Sequence, residues 1–183
     1  MLYPKKLSSK KSNLLIGVSL IIAIILTIIN KLTTPEVHWA ALANSGIIYI
    51  WITVKYSINK RTNIAGHVMI QAIAISLLTT YIDYSLGFKG WSLEISIPII
   101  IMIANVTMLV LTIVSHRKYV RYAIYQLVIC IYSLIPIYFI QKELIDNYVL
   151  SYVAIGISIV NFILTIFLSA KDVKEAVIRK FHM

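Results

Sequence analysis

The chain has 183 residues, of which 60% are hydrophobic and only 13% are charged, and its net charge is +10. Soluble domains contain about 25% charged residues, so this chain cannot bury its apolar surface in a soluble globule and we expect a membrane protein with one domain, residues 1–183. The charge does not indicate nucleic acid binding, because the Lys and Arg residues flank apolar runs and form no patch interleaved with aromatic residues.

Six apolar runs predict six transmembrane helices, since a helix needs about 20 apolar residues to cross a hydrocarbon core of about 30 Å. Helix is favoured over strand because the runs are long and unbroken, and because lipid offers no partner for unpaired backbone groups. The expected fold class is all-α, a polytopic membrane helical bundle arranged as three hairpins. The predicted spans are residues 14–31, 37–54, 64–84, 97–115, 119–140 and 148–170.

The basic residues are concentrated in alternate gaps between the spans. Fourteen of the 17 lie at the N-terminus, in the second and fourth gaps and in the tail, while Lys31, Lys89 and Lys142 lie in the other gaps. Because Lys and Arg are retained on the cytoplasmic side, this pattern predicts a multi-pass membrane protein with both termini in the cytoplasm. It also predicts contact with anionic lipid headgroups, at Lys60, Arg61, Arg117, Lys118, Arg179 and Lys180.

Both ends of the chain have local features of their own. The lysines before the first run could belong to a secretory signal, but that run is too long and Ala41-Leu42-Ala43 lies inside the next span, so an uncleaved signal anchor is favoured. In the tail, residues 171–183, Val173, Val177 and Phe181 recur every four residues between charges. This spacing predicts an amphipathic helix lying on the inner leaflet; docking to a partner protein is the alternative.

The most unusual segment, residues 81–94, joins the third and fourth spans and contains two acids, two glycines and four aromatic residues. We expect a compact loop in the headgroup layer, anchored by its aromatic residues. The next helix is expected to begin just after Ser96 as its N-cap, with Pro98 in its first turn. The candidate site residues in and below this loop are Ser76, Thr80, Asp83, Tyr84, Lys89, Gly90, Trp91 and Glu94.

Asp83 has two interpretations. Ser76 and Thr80 precede it at helical spacing, so the three side chains share one stripe of the third helix. In one hypothesis the stripe forms a polar pocket or ion path that opens outward, with Asp83 as ligand or proton acceptor. In the other, Ser76 and Thr80 allow close helix packing, and Asp83 caps the loop or pairs with Lys89. The second is favoured, because no catalytic motif surrounds Asp83.

The remaining polar residues within the spans are expected to hydrogen-bond between helices; they are Gln71, Asn105, Gln126 and Asn161. Pro136 is expected to kink the fifth helix near its outer end. The single cysteine, Cys130, excludes an internal disulfide and a zinc site built from several cysteines. The chain contains none of the common hydrolase, metalloprotease, phosphate-binding or dinucleotide-binding motifs. We therefore predict no catalytic residues, no metal site and no cofactor.

Residues 81–94, which the charge pattern places on the outer side of the membrane and which we call the outer loop, also support a family resemblance. Asp83, Gly87-Phe88-Lys89-Gly90-Trp91-Ser92 and Ile97-Pro98 resemble the signature of an uncharacterised family of six-helix membrane proteins from low-GC Gram-positive bacteria. Tyr3-Pro4 and Lys171-Asp172-Val173-Lys174-Glu175 resemble the same family, so the similarity covers nearly the whole chain. The resemblance implies six spans of a bacterial plasma membrane and a site in the outer loop, without an activity. Many members begin with a cysteine-rich zinc ribbon, which this chain lacks.

Three functions are compatible with these observations. The favoured one is non-enzymatic: a scaffold or accessory subunit that binds lipid, a membrane-protein partner or a second copy of itself through the outer loop and the basic inner face. The alternative is a small transporter or permease component whose path is lined by Asp83, Ser76 and Thr80. An integral-membrane enzyme acting on lipid comes third, because the acid-rich helix that would hold Mg²⁺ against a phosphate is missing.

Overall fold

The computed structural model describes residues 9–59, 64–114, 119–144 and 146–181, with side-chain surroundings for 13–55, 64–114, 122–144 and 146–168. In these ranges the chain forms helices joined by turns, with no strand. Four predicted headgroup contacts, Lys60, Arg61, Arg117 and Lys118, lie outside the described residues, as do the side chains of Arg179 and Lys180. The helices are α1 (Ser9–Thr33), α2 (Trp39–Asn59), α3 (Ile64–Ser85), a π-helical turn (Ser92–Ser96), α4 (Ile97–Val114), α5 (Tyr119–Ser133), α6 (Ile135–Gln141) and α7 (Val149–Phe181).

Five helical segments of the described chain are long and apolar enough to cross a membrane, which confirms the all-helical, membrane-type composition that the sequence predicted. The second predicted span, residues 37–54, coincides with most of α2. Its passage through a membrane stays a prediction, and so does the total of six spans. The five segments are Asn13–Thr33, Ile64–Ser85, Ser92–Val114, Tyr122–Gln141 and Val149–Leu168.

The buried core lies among α3, α4, α5 and α7, while α1 packs along α2, and α2 packs on α3. Small residues such as Ala65 and Ala104 let the core helices approach closely, and Met108 and Ile129 fill the space between them. The other faces of α1 are apolar and uncovered. Large side chains there are more than half exposed, among them Leu14, Ile21 and Leu32.

The fourth span begins earlier than the sequence predicted, and Ser96 is not its N-cap. The carbonyl of Gly90 accepts the N–H groups of Leu93 and Glu94 at 3.0 Å each, so helical structure starts directly after Gly90. Pro98, in the first turn of α4 as predicted, has no N–H for the carbonyl four residues before it. The wider π-helical turn accommodates this loss, since the N–H of Ile97 bonds to the carbonyl five residues back, that of Ser92.

The fifth span is interrupted where Pro136 was expected to kink it. The structure has two helices instead of one: α5 ends at Ser133 and α6 begins at Ile135. At the break the N–H of Leu134 bonds to Ile131 rather than to Cys130. The hydroxyl of Ser133 donates to the freed Cys130 carbonyl at 2.7 Å, which satisfies a backbone group that lipid could not.

The last predicted span and the tail form one continuous helix, because α7 runs from Val149 to Phe181. A helix of 33 residues is about 50 Å long, which exceeds the hydrocarbon core of about 30 Å. The backbone of the tail therefore prolongs the span instead of starting a separate helix. Its amphipathic contact with the leaflet stays a prediction, since the tail side chains lie outside the described residues.

Candidate functional site

Asp83 lies in the last turn of α3 with none of its surface exposed. One carboxylate oxygen, Oδ1, accepts the backbone N–H of Lys89 at 3.0 Å. The other, Oδ2, accepts both the N–H of Ser92, at 3.2 Å, and its hydroxyl, at 2.8 Å. Three donors thus converge on one buried carboxylate, which compensates for the water that burial removes from it.

The loop between α3 and the π-helical turn wraps around Asp83. The backbone carbonyl of Asp83 accepts the N–H of Phe88 at 2.9 Å, so both its main chain and its side chain bind the loop. Gly87 and Gly90 have φ angles of +95° and +80°, a region that side chains with a Cβ rarely adopt. The two glycines let the chain turn tightly enough for its N–H groups to reach the carboxylate.

The hydroxyl groups of Ser76 and Thr80, in the turns of α3 before Asp83, donate hydrogen bonds within α3 itself. The hydroxyl of Ser76 donates to the Ala72 carbonyl at 2.8 Å and also hydrogen-bonds with Tyr132 of α5. The hydroxyl of Thr80 donates to the Ser76 carbonyl at 2.9 Å. Both hydroxyls are therefore satisfied by the helix itself, and Ser76 contributes to packing α3 against α5.

The other predicted site residues differ in their surroundings: two have exposed side chains, one is half-buried and one is buried. The side chain of Tyr84 is 72% exposed, and that of Lys89 is exposed while its backbone N–H binds Asp83. Trp91 is half-buried at the start of the helix. Gly90 is buried under the 142–148 connection, where a Cβ would lie 3.7 Å from the carbonyl of Leu144.

Glu94 connects this loop to the 142–148 connection. Its Oε1 accepts the N–H of Asp146 at 2.8 Å and that of Asn147 at 3.4 Å. Asp83 and Glu94 therefore have the same structural role, since each accepts hydrogen bonds from backbone N–H groups and holds a turn in place. We call the side chains of Asp83, Ser92 and Glu94, with the N–H groups they bind, the loop lock.

Ser92 was not among the candidate site residues, although it donates two of the three hydrogen bonds to Asp83. The resemblance had included it in the loop signature without a role. A serine at the first turn of a helix was the available signal, because its N–H is one of the groups that the helix leaves without a partner.

A second polar group lies inside the bundle, where Asn105 of α4 joins α5 and α7. Asn105 Oδ1 accepts from Gln126 Nε2 at 2.6 Å, and its Nδ2 donates to Ser158 Oγ at 2.7 Å. Asn161 Nδ2 donates to the Asn105 carbonyl at 2.7 Å. The predicted hydrogen bonding between helices is confirmed for these residues. Two buried oxygens of this amide cluster, Gln126 Oε1 and Asn161 Oδ1, have no partner among the described residues.

Amide side chains also hold α2 in place. Gln71 of α3 accepts from the Tyr49 hydroxyl at 2.7 Å and donates to Thr53 Oγ1 at 2.9 Å, so its predicted role between helices is confirmed. Asn30, which the sequence did not single out, closes the α1–α2 connection. It donates to the Val37 carbonyl at 2.7 Å and accepts from the N–H of Ala40 at 3.0 Å.

A groove of about 400 Å³ runs between α1 and α2. Its walls are apolar, with Ile16 and Leu20 on α1 facing Trp51 on α2. Asn44 and Lys55 mark its two ends along α2. We call it the α1–α2 groove; it lies far along the chain from every residue of the loop lock.

Comparison with known proteins gives a family. The model of DUF6320, a family of unknown function, matches residues 3–183. The chain belongs to DUF6320. This confirms the resemblance to an uncharacterised family, while the Gram-positive source and the zinc ribbons of other members stay predictions. No curated protein and no solved structure matches the chain.

The described part of this DUF6320 chain holds no group of three or more His, Cys, Asp or Glu side chains that could bind a metal ion. Its polar side chains act there as hydrogen-bonding groups. They include the loop lock at one end of the bundle, the amide cluster in its interior, the contacts of Gln71 between α2 and α3, and those of Asn30 at the α1–α2 connection.

Proposed function

We propose that this DUF6320 protein is a non-enzymatic scaffold or accessory subunit of a bacterial plasma membrane, crossing it six times with both termini in the cytoplasm. The burial of Asp83 carries the proposal. A transporter that used Asp83 would need its carboxylate to exchange partners, and an enzyme that used it would need a substrate to reach it. Asp83 has no exposed surface, and both of its oxygens accept hydrogen bonds from its own loop.

The loop lock holds the loop in an ordered conformation, and we propose that this surface lies on the outer side of the membrane. Tyr84 and Leu86 are 72% and 59% exposed, and Phe88 and Tyr148 are exposed beside them on the two connected loops. Aromatic residues are enriched at protein interfaces, and a loop that is already ordered loses less entropy on binding. This surface supports the binding of a membrane-protein partner or of a second copy.

Site-specific photo-crosslinking tests the proposal. A photo-reactive amino acid replaces Tyr84 in cells, and the crosslinked products are identified by mass spectrometry. The matched control replaces Leu77, which is 67% exposed on the same helix and is expected to face lipid. We expect a discrete protein crosslink from position 84, absent from position 77 and weakened by Ser92→Ala. A chain that crosslinks only to lipid from both positions would contradict the proposal.

A transporter is the second candidate, and the amide cluster rather than Asp83 supports it. Asn105 lies nine residues before the end of α4, about 14 Å along the helix and so near the middle of a core of about 30 Å. Unpartnered carbonyl oxygens at that depth resemble the groups that replace the hydration shell of a cation in channels. A lipid enzyme has less support, since both acids of the loop are occupied as acceptors.

Flux into proteoliposomes tests the second candidate. Purified protein is reconstituted, and uptake of ²²Na⁺ and ⁸⁶Rb⁺ is compared with that of protein-free vesicles and of the Gln126→Leu variant. Uptake by the parent protein that the variant loses would favour transport over the scaffold. Equal uptake in all three preparations would exclude monovalent cation transport through the cluster.

A further inference from the structure

We propose that the α1–α2 groove binds one anionic phospholipid, with the phosphate at Lys55 and one acyl chain along the groove. The proposal goes beyond the proposed function and rests on it in one respect, that the helices lie in a membrane. It does not depend on which side of the membrane Lys55 faces, because either leaflet presents headgroups at its surface.

The length of the groove corresponds to one leaflet. Lys55 and Asn44 line it at positions eleven residues apart on α2, which is about 16 Å along a helix. Half of a hydrocarbon core of about 30 Å is about 15 Å. A groove that begins at Lys55 in the headgroup layer therefore ends near the midplane at Asn44, which is the depth that one acyl chain occupies.

The walls of the groove suit hydrocarbon. Ile16, Leu20 and Trp51 contribute apolar surface, and the Ser19 hydroxyl is occupied, since it donates to the Leu15 carbonyl at 2.8 Å. At the midplane end, Asn44 donates to Thr27 Oγ1 at 3.1 Å and so bridges the two helices. The volume of about 400 Å³ lies within the range of small-molecule sites, about 300–1,000 Å³.

The charge of the groove is confined to one end, because Lys55 is the charged residue among those that line it. Its side chain is exposed, and a lysine can lay its methylene stem along apolar surface while its ammonium group reaches the headgroups. One phospholipid matches both features of the groove, because its phosphate can pair with the ammonium group of Lys55 while its acyl chain packs against the apolar walls. One basic residue at a membrane surface favours an anionic over a zwitterionic lipid by about fivefold.

Trp51 in the groove wall provides the readout. A Trp39→Phe/Trp91→Phe double variant leaves it as the sole tryptophan of the three in the chain. The protein is reconstituted in phosphatidylcholine vesicles containing either dibrominated phosphatidylglycerol or dibrominated phosphatidylcholine, whose bromine atoms quench adjacent tryptophan. We expect phosphatidylglycerol to quench Trp51 as if its local fraction were about fivefold above its bulk fraction, and phosphatidylcholine to quench in proportion to its bulk fraction.

Two variants test the contacts. Lys55→Gln is expected to reduce the fivefold preference to about one, whereas Lys118→Gln, which removes a charge that the sequence predicts on the same side of the membrane, is expected to preserve it. Ala23→Phe, which fills the groove, is expected to reduce quenching by both lipids. Native mass spectrometry of the unsubstituted protein gives an independent measurement, with phosphatidylglycerol retained in preference to phosphatidylcholine.

Three results would overturn the proposal: equal quenching by the two lipids, an equal effect of Lys55→Gln and Lys118→Gln, or a Trp51 that neither lipid quenches. The last result would mean that a second copy or another protein segment covers the groove. These outcomes are independent of the crosslinking at position 84, so the lipid-site proposal can be refuted without refuting the proposed scaffold function. Failure of the purified chain to insert into vesicles would contradict both.

Discussion

Replacement of Asp83 by asparagine is the most direct test of the loop lock, because it removes the charge and one acceptor oxygen while keeping the size of the side chain. The Oδ1 of asparagine can still accept the N–H of Lys89. Its Nδ2 then meets the N–H of Ser92, which now donates to Oδ2 at 3.2 Å. The Ser92 hydroxyl can rotate to accept from Nδ2, but its buried N–H loses its acceptor.

The expected magnitude follows from these bonds. A buried donor left without a partner costs about 1–3 kcal/mol, and a hydrogen bond to a charged group contributes about 1.5–3 kcal/mol against about 0.5–1.5 kcal/mol for a neutral pair. With one bond lost and two weakened, we expect Asp83→Asn to lower the free energy of unfolding by about 2–5 kcal/mol. Ser92→Ala removes a single hydroxyl donor and should cost less, about 1–3 kcal/mol.

The assay is the fraction of purified protein that remains monodisperse in mild detergent after heating, measured by size-exclusion chromatography. Glu36→Gln is the matched control, since Glu36 is an exposed acid in the α1–α2 connection, and it should behave like the parent protein. An Asp83→Asn variant as heat-stable as the parent would refute the structural role of the carboxylate. Loss of a solute uptake activity at unchanged stability would move the assignment to the transporter.

Three further predictions concern the backbone, the loop connection and the bundle interior. Gly90→Ala should lower stability in the same heating assay by about 1–2 kcal/mol because φ is +80° there, whereas Gly17→Ala, in α1 with open space around its Cβ, should raise it by about 0.5–1 kcal/mol. Glu94→Ala should accelerate hydrogen exchange at the Asp146 N–H by about tenfold or more, since that N–H loses a charged acceptor, while Glu94→Gln should change it little. Asn105→Ala removes three side-chain hydrogen bonds between helices and should lower heat stability by about 1–3 kcal/mol.

Each of these predictions has a contrary outcome. Equal stability of Gly90→Ala and Gly17→Ala would mean that the loop does not need a positive φ at residue 90. Unchanged exchange at Asp146 in Glu94→Ala would mean that other contacts join the two loops. An Asn105→Ala variant more stable than the parent would show that the amide cluster lowers stability, as expected of a site kept for a ligand.

The loop signature of the family acquires a physical explanation from this structure. Asp83 supplies the acceptors, and Ser92 supplies two of the donors. Gly87 and Gly90 supply the positive φ angles that bring the donors into reach. Pro98 removes the N–H that would have continued a regular α-helix through the π-helical turn. These five residues of the string thus serve the geometry of one turn.

The sequence by itself determined the all-helical, membrane-type class of the protein and the extent of α3. An apolar run of about 20 residues is a local property whose cost in water does not depend on its neighbours, so α3 was predicted at residues 64–84 and observed at Ile64–Ser85. The break near Pro136 and the hydrogen bonding of Gln71 and Asn105 could also be predicted from the sequence, because each follows from a local chemical requirement. A missing N–H and a buried amide impose their requirements in any arrangement of helices.

Only the tertiary structure decided what the polar residues do. Glu94 binds an N–H group 52 residues away, and the partners of Asn105 lie on two other helices, so no local pattern could identify either pairing. The π-helical turn before α4 was missed because Ser96 before Pro98 has the local form of a cap, whereas helical structure actually starts after Gly90. The α1–α2 groove likewise exists only because two antiparallel helices place Lys55 and the apolar wall of α1 side by side, which depends on packing rather than on local composition.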